Sequence, residues 1–114
     1  MKVAVYHASP VRIDNFEVSE QGIHFGSLES AIEAICRKVD YGEVFFLHKV
    51  RLDISNYIET FDVGYNWRAW FQNEPVEVEG YIYTNQYELS VKKSYVTWCP
   101  ETINTVLITQ EVLR

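Results

Sequence analysis

Cysteine is scarce in this sequence, and long apolar runs are missing. Cys36 and Cys99 are the only cysteines, which is too few for a disulfide framework or a structural zinc site. We interpret both as reduced thiols, as expected in a cytoplasm. The first apolar run is too short for a signal peptide, and no run approaches the roughly 18 residues of a membrane span. The sequence therefore predicts a cytoplasmic protein without a membrane partner.

Glycine is also scarce, with five residues in the chain. The sequence contains no glycine-rich phosphate loop, no dinucleotide fingerprint and no nucleophile elbow of a serine hydrolase. The histidines lack the spacing of a zinc-binding helix, and no group of carboxylates has the spacing of a calcium loop. We therefore expect no metal.

Basic residues are outnumbered by acidic ones. Ten Lys and Arg residues stand against sixteen Asp and Glu residues, so the formal net charge is −6. General nucleic-acid binding relies on a basic surface, and this class of function is therefore disfavoured. The charge still allows a small anionic ligand to be held at one site.

Apolar and aromatic side chains are abundant. Hydrophobic residues make up 47% and aromatic residues 15% of the 114 residues. This length predicts one domain, residues 1–114. The aromatic content favours strands and a ligand-lined cleft over a helical bundle.

Strands dominate the hydrophobic pattern, beside one clear helix. Ser27 is placed to cap a helix over residues 28–39, where apolar residues recur along one helical face. A second, short helix is predicted over residues 65–73. Strands packed against one or two helices predict an α+β domain. The predicted strands cover residues 2–6, 22–25, 44–52, 56–62, 80–84, 94–99 and 104–109.

The three histidines have different surroundings. His48 lies on the apolar face of the strand predicted over residues 44–52, so we interpret it as a core residue. His7 ends the first strand, before small residues and a turn, where ligands commonly dock. His24 lies in a short extended segment between two glycines.

Two local patterns are more specific than the rest. One is a histidine followed by two small residues, together with a short strand that leads into the helix. The other is a pair of tyrosine-rich strands with a glutamate between them. They read YHAS (residues 6–9), GIHFGS (22–27), EGYIYTNQYE (79–88) and SYVTWCPETI (94–103).

Together these patterns resemble the ADP-ribosyltransferase superfamily, and most closely its small bacterial and phage-encoded members. The resemblance extends over residues 3–108, and the last two segments are its most specific part. It implies a split, strongly bent β-sandwich with one main helix and one short helix, which opens a cleft for NAD. NAD is then the substrate.

The resemblance also implies roles for individual residues. Glu88 matches the glutamate that binds the nicotinamide ribose and favours the developing cation, and His7 is the second residue expected to be catalytic. The cofactor-binding residues implied are His7 on the adenosine ribose, the Ala8 backbone on the nicotinamide carboxamide, Ser9 beside it, His24 or Phe25 near the nicotinamide ring, and Tyr83 and Asn85 along the cleft.

Three positions depart from the family pattern. Ala8 replaces a glycine, which narrows the approach to the ligand. His24 stands where many relatives have a tyrosine. Glu33 and Ala34 occupy the part of the helix where a tyrosine often closes over the nicotinamide.

The leading hypothesis is a mono-ADP-ribosyltransferase that modifies a host macromolecule. A protein is the expected target because the surface is acidic. The resemblance suggests a phage-encoded anti-defence or host-takeover factor in the bacterial cytoplasm. The alternative is a catalytically inactive protein of this fold that binds or inhibits a partner protein. A related NAD-dependent enzyme that removes a 2′-phosphate from RNA ranks last, because few basic residues are available to converge on the phosphate.

Overall fold

Seven strands and one α-helix make up most of residues 1–17, 22–61, 67, 78–84 and 93–114, which are the residues described in this computed structural model. The predicted α+β class is confirmed. The short helix predicted over residues 65–73 lies outside the described residues, apart from Trp67. In chain order the elements are β1 (Lys2–Ser9), β2 (Ile23–Phe25), α1 (Leu28–Ile35), β3 (Val44–Asp53), β4 (Tyr57–Phe61), β5 (Gly80–Thr84), β6 (Lys93–Thr97), a 3₁₀ turn (Pro100–Thr102) and β7 (Ile103–Val112).

The strands form two sheets. The first sheet has the order β1-β3-β7, and the second has the order β2-β6-β5-β4. The pairs are antiparallel, except that β4 and β5 are parallel. The sheets meet at one isolated bridge between Tyr6 of β1 and Gly26, the residue after β2.

Apolar residues from both sheets pack together into one core cluster. Val5 and Leu52 come from the first sheet, and Ile23 and Phe25 come from the second. A second cluster joins α1 to the opposite face of the first sheet. A third surrounds Trp67 on the second sheet. The first sheet is therefore covered on one face by the second sheet and on part of the other by α1.

α1 begins as predicted and ends earlier than predicted. Ser27 is its N-cap, and its Oγ accepts a hydrogen bond from the Ser30 amide at 3.2 Å. Regular helix stops at Ile35, whose carbonyl accepts hydrogen bonds from the amides of Lys38 and Val39. Such converging bonds tighten the end of a helix. Val39 still packs in the cluster under α1, so the apolar spacing extends beyond the helix itself.

β3 has the two-faced pattern that the sequence predicts. His48 and Leu52 are buried on one face, while Lys49 and Arg51 are exposed on the other. Phe45 is buried under α1 on that second face. The predicted apolar face of this strand, which carries His48, is therefore confirmed. The described helices include none that is long and apolar enough to span a membrane.

Gly80 is a glycine at which a larger residue should lower stability, because its neighbour is backbone. A Cβ at this position would overlap the carbonyl oxygen of Val96 on the neighbouring strand. Because backbone must then move, we expect Gly80→Ala to lower the free energy of unfolding by about 1–3 kcal/mol, measured by urea denaturation. Gly42→Asn is the control, because that site has open space and a positive φ of 86° that asparagine tolerates. Equal stability of Gly80→Ala and wild type would contradict the expectation.

Candidate functional site

A cleft opens where the two sheets separate. At the bridge, the Tyr6 amide donates to the Gly26 carbonyl at 2.8 Å, and the Gly26 amide donates to the Tyr6 carbonyl at 3.0 Å. Beyond this point β1 continues along β3, whereas the chain after Gly26 turns into α1. The space between the two diverging segments is the cleft.

The cleft brings together most of the cofactor-binding residues that the sequence predicts. It is a shallow cleft with a cavity volume of about 120 Å³, open to solvent on one side. The sequence predicts five of its lining residues as site residues and does not predict the other seven, which are Tyr6, Gly26, Ser30, Ala31, Ala34, Lys38 and Ser94. The full lining is Tyr6, His7, Ala8, His24, Phe25, Gly26, Ser30, Ala31, Ala34, Lys38, Tyr83 and Ser94.

The remaining predicted site residues fall into two groups. Ser9 is buried, does not line the cleft, and its Oγ accepts a hydrogen bond from the Val11 amide at 3.2 Å. Ser9 therefore stabilises the turn that follows β1. Asn85 and Glu88 lie outside the described residues, and their roles stay predictions.

The backbone of Ala8 faces the cleft. The polar groups of a strand alternate between its two edges, and those of Tyr6 point away from β3 toward Gly26. The groups of Ala8, two residues later, point to the same edge, past the end of the bridge. Neither its N–H nor its C=O has a hydrogen-bond partner among the described residues. This position presents one donor and one acceptor, side by side, to anything in the cleft.

The His7 side chain lies on the face of β1 opposite to the Ala8 side chain, and its contacts hold the ring in a single orientation. Its Nδ1–H donates to the His24 carbonyl at 2.7 Å, which ties the end of β1 to β2. The ring packs against Phe16 and Phe25, with ring centres 5.5 and 5.6 Å away. Burial lowers the pKa of His7 to about 4, so the ring is neutral at pH 7. Because Nδ1 carries the proton, Nε2 is left as a hydrogen-bond acceptor.

His48 is the core histidine that the strand pattern predicts. It is fully buried, its Nε2 accepts a hydrogen bond from the Ile13 amide at 2.9 Å, and its Nδ1–H donates to the His7 carbonyl at 3.1 Å. Burial lowers the pKa of His48 as well. Its two backbone partners fix the neutral tautomer and give it a structural role.

An aromatic wall forms the side of the cleft on the second sheet. His24 Nδ1 lies 2.8 Å from the Tyr83 hydroxyl. Trp67 packs against both residues, with its ring centre 4.6 Å from that of Tyr83 and 5.7 Å from that of His24. Trp67 is 2% exposed and lies in the core cluster of the second sheet. Its buried ring holds the wall in place.

Comparison with known proteins gives no assignment. No model of a protein family matches this chain, and no curated protein matches it in sequence. Among the described residues no group of three or more His, Cys, Asp or Glu side chains is placed to hold a metal ion.

The buried, neutral His7 should make stability depend on pH. The unfolded state binds a proton on this residue below a pKa of about 6.5, and the folded state only below about 4. Stability should therefore fall as the pH falls from about 6.5 to about 4, by about 3 kcal/mol for His7 alone. Urea denaturation across this range measures it, with His7→Asn as the matched variant, because asparagine keeps a donor for the His24 carbonyl and does not titrate. Parallel pH curves for the two proteins would contradict the assignment.

Proposed function

We propose that this protein is a mono-ADP-ribosyltransferase that uses NAD to modify a protein. In this proposal the two sheets are the halves of a split, bent β-sandwich of the ADP-ribosyltransferase type, and the cleft between them holds NAD. The resemblance of the four sequence segments and the position of the cleft support it independently of each other.

The backbone of Ala8 is the observation that carries the proposal. A carboxamide offers an NH₂ donor and a C=O acceptor a short distance apart. The Ala8 C=O and N–H offer the complementary pair, at an edge of β1 that no described strand occupies. Because a missing hydrogen bond in a buried site costs about 1–3 kcal/mol, this pair would select nicotinamide against rings that lack the amide.

The other lining residues suit the rest of a dinucleotide. Neutral His7 has an acceptor nitrogen that fits a ribose hydroxyl. His24, Phe25 and Tyr83 provide flat surfaces for a ring. Lys38 is a cation on the cleft wall of an otherwise acidic protein, and a pyrophosphate is the anionic part of NAD.

The reaction breaks the bond between the ribose C1′ and the nicotinamide nitrogen. Nicotinamide leaves with the electron pair, positive charge develops on the sugar, and a nucleophile of the target attacks C1′ and loses a proton. A carboxylate beside the sugar stabilises the developing cation, and Glu88 is the residue proposed for this role. The residues that line the cleft hold and orient the substrate, while the Glu88 carboxylate stabilises the positive charge that develops on the ribose.

Labelled NAD tests the proposal in a bacterial lysate. We expect the wild-type protein to transfer label from NAD carrying a radioactive adenylate phosphate to a protein, and to release nicotinamide in equal amount. The label should resist boiling in detergent and disappear after protease treatment. Label that survives protease and is lost to nuclease would contradict a protein target.

One observation favours the second candidate, a protein of this fold that binds a partner without catalysis. Ala34 lines the cleft in the region of the helix where the family often has a tyrosine, so the side of the cleft formed by α1 carries a methyl group there. If this candidate is correct, the wild-type protein and the Glu88→Gln variant should bind the partner equally well, and neither protein should release nicotinamide.

A further inference from the structure

Part of the outer face of the first sheet has no covering element among the described residues. α1 packs over one end of this face, where Ala8 and Phe45 lie. Past that end, residues from β1, β3 and β7 stand side by side on the same face, and each is exposed. We call this surface the cationic face, and it consists of Lys2, Ala4, Lys49, Arg51, Asn104 and Leu107.

The charge of the cationic face is opposite to that of the whole protein. Lys2, Lys49 and Arg51 are three of only ten basic residues in a chain with a net charge of −6. None of the three forms an ion pair or side-chain hydrogen bond with a described residue. Two acidic residues lie on the same face of the sheet, Asp53 opposite Lys2 and Glu111 opposite Phe45 at the end near α1. Three unpaired cations on one face favour a partner with negative charge.

The neighbouring edge of β7 is open to a further strand. β7 pairs with β3 and with no other described strand. The register directs the backbone N–H and C=O of Ile108 and Gln110 away from β3. Residues 103–110 carry no charged residue and no proline, which are two of the features that block an exposed edge, although the bulge at Val106 is a third. A bulge at Val106 interrupts the pairing with β3, and Leu107 beside it is 55% exposed.

We propose that the cationic face and the outer edge of β7 bind an extended, acidic segment of a partner protein. The segment adds to β7 as a strand, so that its backbone pairs with β7 and its carboxylates lie on the side of Lys49 and Arg51. The added strand lies two strand spacings, roughly 10 Å, from β3, which carries Lys49 and Arg51. On this face, only Asn104 and Leu107 of β7 lie between the carboxylates and these two cations. A nucleic acid carries the required charge but has no backbone amides for the ladder. The inference does not rest on the transferase activity of the cleft.

Fluorescence anisotropy with a labelled peptide tests this proposal. The probe is a ten-residue peptide of alternating Glu and Val, the length of β7. Two matched probes replace every Glu with Lys, or methylate every second backbone nitrogen so that no ladder can form. With wild-type protein we expect the first probe to bind at least about tenfold more tightly than either of the others.

Two protein variants locate the binding surface. The double variant Lys49→Glu with Arg51→Glu should weaken binding of the acidic probe by at least about tenfold. Gln110→Pro should weaken it by a similar factor, because proline removes an outward N–H at an exposed edge position where it is tolerated. Equal binding of the three probes, no binding at about 1 mM, or unchanged affinity in both variants would overturn the proposal. The proposal would also be overturned if an oligothymidine bound more tightly than the acidic probe and the double variant lost this binding, because the face would then bind a nucleic acid.

Discussion

Glu88→Gln should lower the rate of ADP-ribose transfer by a factor of about 10²–10³, the usual loss when one group that stabilises transition-state charge is removed. Glutamine keeps the size and hydrogen-bonding capacity of the side chain and removes the negative charge. Because the positive charge on the ribose develops only as the bond to nicotinamide breaks, the affinity for NAD should change by no more than a few-fold. Nicotinamide release under single-turnover conditions measures the rate, and calorimetric titration with NAD measures the affinity.

Glu101→Gln is the matched control for this change. Glu101 is an exposed carboxylate in the 3₁₀ turn before β7, so the substitution removes the same charge from the protein without removing it from the proposed site. Its rate should stay within a factor of about two of wild type. A Glu88→Gln protein that is as active as Glu101→Gln would remove Glu88 from the mechanism.

Ala8→Pro should weaken NAD binding by about 30-fold, or about 2 kcal/mol. The substitution removes the N–H that faces the cleft and places ring carbons in its position. Proline is tolerated where a strand N–H takes no part in the ladder, and the register with β3 puts Ala8 at such a position. The fold should therefore survive, as circular dichroism can check, while the loss in affinity appears in titrations with NAD.

Ala4→Pro separates the loss of this N–H from the general effect of a proline in β1. Ala4 lies on the same strand and its N–H points to the same edge as that of Ala8, but it is exposed and does not line the cleft. We expect Ala4→Pro to bind NAD as wild type does. If both variants lose affinity equally, the cause is distortion of β1, and the proposed contact with the carboxamide is wrong.

The sequence predicts the elements of the fold better than their arrangement. Alternation of apolar and charged residues is enough to assign β3 and to place His48 in the core, and Ser27 is enough to start α1. The pairing of distant strands, such as the parallel pair β4 and β5, leaves no local signal, because it depends on contacts between residues far apart in the chain. The early end of α1 also depends on tertiary structure, since the apolar spacing continues to Val39.

The candidate site was predictable mainly where a motif carried it. Three separated segments contribute the five predicted residues that line the cleft, which are His7, Ala8, His24, Phe25 and Tyr83. The resemblance is what predicted that these segments share one site. The contribution of Lys38 had no such signal, because Lys38 belongs to no distinctive pattern. Ser94 begins one of the resembling segments, but the resemblance implied no role for it. Ser9 was expected to contact the cofactor because it follows the motif residues His7 and Ala8. Its side chain instead accepts a hydrogen bond in the turn after β1 and does not line the cleft.

NMR titration of the ¹⁵N-labelled protein tests the central claim, that the cleft holds the nicotinamide of NAD at the backbone of Ala8. With NAD, we expect the largest amide shifts at Ala8 and at its neighbours around the bridge, including Gly26. ADP-ribose, which lacks nicotinamide, should leave the Ala8 amide nearly unchanged even if it binds elsewhere in the cleft. Shifts at Ala8 that are equal for NAD and ADP-ribose, or the absence of shifts there at saturating NAD, would contradict the account.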